Sequence, residues 1–295
     1  MVCYHPLMSE TPLRKVLITG VHGQLGRALA GACANRGVDF DGRDIDTLDI
    51  TDCEAVSTWI ERSNPSAVIN CAAFTAVDSC ETEEETALKV NGTAVGHLAG
   101  ACNTAEARLV QISTDYVFEG NADRPYREDD SPAPISAYGR TKLRGEELAA
   151  RAERHLVVRT AWLYGHGGRN FVEAIRGQIN GGAKTLKVVA DQRGNPTFCD
   201  DLAGAVLDLI EADVNGILHV VNSGETTWHG FAVAITKQTG GDVEVLRVKT
   251  GKFQSPAPRP AYSVLDTTRL SGVLGRPMPP WEDALARYLE VPCES

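Results

Sequence analysis

Several things are missing from this chain, and each absence removes a class of function. There is no apolar run of about 18 residues or more, so no membrane-spanning helix is expected. There is no excess of positive charge: 29 Lys and Arg stand against 39 Asp and Glu, for a net charge of −10. That balance argues against nucleic acid and anionic membrane surfaces as partners. The first dozen residues lack the apolar centre of a signal peptide. Residues 1–13 read as a disordered extension, with Met8 as an alternative start, and the setting as cytoplasmic. The eight Cys include no Cys-x-x-Cys pair and the seven His form no ligand pattern, so no metal is expected. Cys71 and Cys102, on apolar segments, read as reduced core residues, and His97 and His219 as structural ones. No internal repeat or low-complexity run is present.

What is there is an alternation of strands and helices. Lys15–Thr19 is a short apolar strand. A second strand ends near Phe40, and Asp52 to Arg62 reads as a helix capped by Asp52. Ala67–Cys71 is a third strand. Thr82 to Ala105 has Ala87, Val90, Ala94, Leu98 and Ala101 at helical spacing behind an acidic start. A fourth strand ends at Ser113, Ala137 to Ala152 is a helix, and His155–Arg159 is a fifth strand. This pattern predicts an α/β fold of the Rossmann type, a doubly wound parallel sheet.

Three motifs stand on that frame. Gly20-Val21-His22-Gly23-Gln24-Leu25-Gly26 links the first strand to a helix, the context in which glycines let a backbone approach a pyrophosphate at a helix N-terminus. The spacing is GxxGxxG. Leu109–Tyr116 is an apolar strand ending in Ser113, Thr114 and Asp115, where an open parallel sheet binds its ligands; taken without the other two motifs it reads better as a strand end and a turn capped by Asp115. Tyr138-Gly139-Arg140-Thr141-Lys142 puts a phenol and an ammonium one helical turn apart, and a nearby cation favours the phenolate. That is a proton donor fit for a carbonyl reductase.

These motifs, in this order, resemble the extended short-chain dehydrogenase/reductase superfamily, and within it the dTDP-4-dehydrorhamnose reductases. The stretches that carry the resemblance include Asn70–Asp78, Ser113–Gly120, Tyr138–Glu146, Arg159–Gly165, Asp191–Thr197 and Thr226–Trp228, spread over Arg14 to Leu289. It implies a dinucleotide core over 14–165 and a smaller substrate-binding lobe over 166–295, with segments near 188–221 returning to the core. It also implies hydride delivery from NADPH, or from NADH, to the C4 ketone of a dTDP-4-keto-6-deoxy-hexose. Tyr138 would donate the proton, Lys142 would lower the phenol pKa and bind the nicotinamide ribose, and Thr114 would hold the substrate oxygen with Ser113 beside it.

By the same resemblance Gly20, Gly23, Gln24, Leu25, Gly26, Asp49, Ile50, Ala72, Ala73 and Phe74 would hold the dinucleotide. Asp115 and Trp162 would meet the sugar, with Gln192, Asn195, Pro196 and Arg259 as candidates for the nucleotide end. Asn91 would support a water relay behind Lys142. Because the whole chain is acidic, an anionic sugar nucleotide needs local Arg or Lys. The cofactor signals are mixed. Asp39-Phe40-Asp41-Gly42-Arg43-Asp44 offers acids for a ribose 2′-hydroxyl and Arg43 for a 2′-phosphate. Some relatives dimerise through a metal held by a Glu two residues after the third glycine; Ala28 stands there, which argues against a metal-bridged homodimer while leaving other dimers open. A 4,6-dehydratase would need a second acid where Tyr116 stands. An epimerase would retain NAD, and a silent regulatory subunit would have a damaged Tyr/Lys pair.

Overall fold

The computed structural model describes residues 13–240, 243–252 and 255–290, so the expected extension at 1–13 falls, but for Leu13, outside the described residues. Its centre is a parallel sheet of six strands. In chain order these begin with β1 (Lys15–Thr19), β2 (Asp39–Arg43), β3 (Ala67–Asn70), β4 (Arg108–Thr114) and β5 (His155–Thr160). The sixth strand, Gly216–His219, lies beside β5, and the order across the sheet is Gly216–His219, β5, β4, β3, β1, β2.

The strands are apolar on both faces because helices cover both. Val16 and Ile18 of β1 point into a cluster with helices Gln24–Arg36 and Cys199–Glu211, while Leu17 between them joins Val56, Ile60 and Leu98 on the opposite face. β3, β4 and β5 repeat the alternation through Ile69 and Val68, Val110 and Leu109, Val158 and Val157. After β2 the chain crosses to the other side of β1, so a crevice opens beyond the carboxyl ends of β1 and β3, where ligands of such sheets bind.

The expected helix from Asp52 is present as Cys53–Ser63, with the Asp52 carboxylate accepting from the N–H groups of Glu54 and Ala55 at 3.0 Å. The expected single helix over Thr82 to Ala105 is broken into Glu84–Leu88, a π-helical turn Lys89–Thr93 and Ala94–Thr104. The cause is Asn91. Its carboxamide accepts from Phe74 N at 2.8 Å and donates to Phe74 O at 3.1 Å and Thr141 Oγ1 at 3.2 Å. Turning that side chain inward requires the extra residue of a π-bulge, a common device beside functional sites.

Beyond Tyr164 the chain divides. Cys199–Glu211 and Gly216–His219 pack on the central sheet. Leu270 and Met278 join the same core, while Phe171, Phe198, Phe231, Trp281 and Tyr288 build a second one, beside which strand Thr185–Val189 pairs with Glu244–Val248.

Candidate active site

A cleft of about 850 Å³ runs along the carboxyl edge of the sheet, from the glycine turn to the helix that carries Tyr138. The turn is built for close approach. Gly20 has φ +65°, and a Cβ there would sit 2.8 Å from Ala72 N; a Cβ on Gly26 would sit 2.2 Å from Gly20 O. Helix Gln24–Arg36 starts at Gly23 with no side-chain cap, so its first N–H groups face the cleft. This cradle fits a dinucleotide pyrophosphate. Gly20, Gly23, Gln24, Leu25, Gly26, Asp49, Ile50, Ala72, Ala73 and Phe74 all line the cleft. Gln24 also ties the turn to the second lobe: its Oε1 accepts from Gly165 N at 2.8 Å and Asn170 Nδ2 at 3.0 Å.

Helix Ala137–Ala149 begins at Ser136, whose hydroxyl accepts from Gly139 N at 3.2 Å. It brings Tyr138 and Lys142 to the cleft beside Ser113, Thr114 and Asp115 at the end of β4. Lys142 is buried, and its ammonium donates to Ile112 O at 2.6 Å. Burial pulls its pKa down to about 8, against the opposing pull of Glu146. The Tyr138 phenol is not lowered as expected. Burial first, and then the Asp115 carboxylate, push it well above the ordinary phenol value, while the Thr114 hydroxyl within hydrogen-bonding reach acts in the opposite sense. With Lys142 bound to a carbonyl, Tyr138 is a firmly protonated phenol: an acid able to serve a developing alkoxide, not a standing phenolate.

Asp115 is 2% exposed. Its Oδ1 accepts from Thr114 Oγ1 at 3.0 Å, and burial raises its pKa to about 6 despite help from Ser263 and Thr114. Ser113 faces inward and donates to Glu146 Oε1 at 2.5 Å. Glu146 in turn holds Arg159 in a buried bidentate pair at 2.7 to 3.2 Å. Glu146 was not singled out from the sequence; its place one turn after Lys142 was the available signal, but its partner on β5 was not visible there. Asn91 has both ends of its amide engaged with Phe74 and Thr141, so here it ties the cleft wall at Phe74 to the helix that carries Tyr138.

Trp162 lines the cleft and adopts φ +47°, rare for a bulky residue and a mark of a constrained site. Trp228, another residue not singled out, also lines the cleft and continues into a second cavity of about 330 Å³. Gln192 and Arg259 line that second cavity. Gln192 accepts from Trp228 Nε1 at 3.1 Å, and Arg259 donates to Asp78 Oδ2 at 3.1 Å. Asn195 and Pro196 reach neither cavity. The Asn195 amide spans Gly224 O at 2.8 Å and Leu265 N at 2.9 Å, so it shapes the loop behind Trp162 instead of facing a ligand. Arg43 is also outside both linings; its guanidinium bonds Asp41 at 3.2 Å, and Asp44 takes the place on the cleft wall.

A sequence model of the RmlD substrate binding domain matches residues 14–292. The chain belongs to this family. An RmlD-family relative, the dTDP-4-dehydrorhamnose reductase of Streptomyces griseus, is 40% identical over 97% of this chain and 96% of its own. A protein of Streptomyces antibioticus named as a probable dTDP-4,6-dihydroxy-2-methyloxan-3-one 4-ketoreductase is 44% identical over 91% of this chain and 92% of its own. Among solved structures, the dTDP-4-dehydrorhamnose reductase of Bacillus anthracis in complex with NADP superposes with a TM-score of 0.91 at 36% identity, covering 94% of this chain and 99% of that one. The RmlD family thus accounts for the whole described fold.

Proposed function

We propose that this protein reduces the C4 ketone of a dTDP-4-keto-6-deoxy-hexose with NADPH or NADH, and that its principal substrate is dTDP-4-dehydro-L-rhamnose. The observation that carries the reading is the meeting of Tyr138, Thr114 and Lys142 in a dinucleotide-sized cleft that Trp228 links to a second cavity.

The glycine turn would hold the pyrophosphate and Asn91-supported Phe74 would flank the ribose. The dinucleotide supplies the hydride; the protein supplies position and field. Thr114 orients the ketone oxygen and Tyr138 gives it a proton as negative charge develops, which is where a preorganised donor accelerates the step most. Lys142, cationic near neutrality, would have to leave Ile112 O to reach a ribose hydroxyl and the phenolate left behind. The sugar would lie against Trp162 and the nucleotide would enter the second cavity, where Arg259 is the cation for its diphosphate. The indole pair and Gln192 would close around the base.

The test is oxidation of reduced dinucleotide in the presence of dTDP-4-keto-6-deoxy-glucose, with and without an added 3,5-epimerase. Oxidation that depends on the epimerase supports the rhamnose substrate. Oxidation without it supports the second reading, a different 4-keto sugar, which the Streptomyces antibioticus relative favours. No oxidation in either arm, with dinucleotide still bound, removes both.

A further inference from the structure

We propose that Asp78 sets how tightly the sugar nucleotide is held, its carboxylate occupying Arg259 in the empty site and opposing the diphosphate that displaces it. The proposal rests on reading the second cavity as the nucleotide site. With the sugar against Trp162 and the base in that cavity, the diphosphate lies between them, at the boundary of the two cavities. Asp78 and Arg259 meet at this boundary. Val77, beside Asp78, lines the cleft, while Ser255 and Arg259 line the second cavity. Tyr116 also lines the cleft and meets the Tyr138 ring edge-on, with centroids 5.6 Å apart; its phenol feels the charges of both Arg259 and Asp78.

The Asp78 carboxylate is held by a strap from the second lobe, Ser255-Pro256-Ala257-Pro258-Arg259-Pro260. Oδ1 accepts from Ser255 Oγ at 2.7 Å and from Ala257 N at 3.2 Å, and Oδ2 accepts from Arg259 Nη2 at 3.1 Å. Three prolines in six residues leave this stretch few conformations. Its far end is pinned as well: Tyr262 N donates to Gly120 O and Arg193 N to Ala261 O, both at 2.9 Å. Arg259 Nη1 donates to Ala257 O at 3.1 Å, so the strap itself directs the guanidinium and Asp78 is not needed for that.

The two Asp78 oxygens thus have different tasks. Oδ1 anchors the strap, and Oδ2 serves the guanidinium. A diphosphate, more highly charged and rich in acceptor oxygens, can take the guanidinium from Oδ2. It cannot expel the carboxylate, which stays bound through Oδ1. The bound diphosphate therefore has an anion as well as a cation beside it. The other Lys or Arg lining the second cavity is Lys187, exposed on strand Thr185–Val189. Asp78 weakens the hold on substrate and product nucleotide alike, and so speeds release of the product. With Asp78 47% and Arg259 23% exposed, solvent limits the effect. It amounts to about fivefold in affinity.

The experiment measures dissociation constants of thymidine diphosphate and of thymidine by calorimetry, on the full-length protein with NADPH bound. Asp78→Asn keeps an oxygen for Ser255 and Ala257 and removes the charge. Its dissociation constant for the diphosphate is expected to fall by about fivefold, and the gain to shrink as added salt screens the charges. Thymidine carries no phosphate, so its affinity stays within about twofold of wild type. Ser255→Ala removes one tether and keeps the charge, and should leave both constants within about twofold of wild type. An unchanged or weakened affinity for the diphosphate in Asp78→Asn overturns the proposal. An equal gain for thymidine means that the shape of the strap changed, not the charge at the diphosphate, and overturns it too. If the wild-type protein binds NADPH but no thymidine diphosphate, the reading of the second cavity fails and takes the proposal with it, an outcome distinct from the others.

Discussion

Trp162 and Trp228 stack face to face, their ring centroids 3.6 Å apart and their planes 6° from parallel. One follows β5 of the central sheet and the other opens a helix of the second lobe, so the pair joins the two halves at the point where the two cavities meet. Gly194 lies under the Trp162 indole, where a Cβ would come within 2.6 Å of the ring. The Trp162 indole is thus packed against both Trp228 and Gly194. Trp162→Ala should raise the KM for the sugar nucleotide by about tenfold or more, because it removes the indole from the cleft wall and takes away the stacking partner of Trp228. Dinucleotide affinity should change little. Steady-state kinetics with varied sugar nucleotide checks this, and an equal loss of dinucleotide affinity would count against a role at the sugar end.

Tyr138→Phe removes the acidic proton and keeps the ring. Turnover should fall by about 10² to 10⁴-fold, with dinucleotide binding retained. Rates and fluorescence titrations on the same preparation test both halves. Activity near that of wild type would require another proton donor.

Asp115 predicts a pH signature in stability. Its folded pKa, about 6, lies above the ordinary carboxyl value. Between those two values the folded state binds more protons than the unfolded one, so this group's contribution becomes less favourable as pH rises, and above about pH 6 the buried charge is a standing cost. Asp115→Asn should therefore gain stability relative to wild type on going from pH 4 to pH 7, by roughly 2 kcal/mol. Urea unfolding at the two pH values measures the difference. A gap that does not widen with pH would mean that Asp115 is not ionising in the buried state.

Glu146 and Arg159 are 4% and 1% exposed, and each is the other's counter-charge. Glu146→Ala leaves a buried guanidinium without its partner, which costs about 3–5 kcal/mol. Denaturant unfolding is the direct measurement. Ser113 loses its acceptor in the same variant, so activity should fall along with stability. A loss below about 1 kcal/mol would place the pair among weakly coupled charges.

The local elements follow directly from local chemistry. Asp52 and Ser136 cap helices because a side-chain oxygen two or three residues upstream of a free N–H needs no tertiary help. The core strands declare themselves by continuous apolar runs, and the glycine turn by the spacing of its glycines. From the same stretches come the Tyr138–Lys142 spacing and the Ser113–Asp115 strand end, and the fold places all of these on one cleft.

Long-range contacts decided the rest. Asn91 converts a helix into a π-turn because its partners, Phe74 and Thr141, come from distant segments. Lys142 binds Ile112 O and leaves the phenol's pKa to burial, a property no spacing encodes. Asn195 reads as a ligand contact by motif, yet Gly224 and Leu265, 29 and 70 residues further on, claim its amide. Arg43 and Asp44 are adjacent in sequence and cannot be ranked there. Strand alternation, together with an Asp41 anchored by Trp59, turns one away and the other in. Sequence neighbours fix backbone conformation through short-range sterics and caps, but which charge faces a ligand depends on what burial and distant partners have already taken.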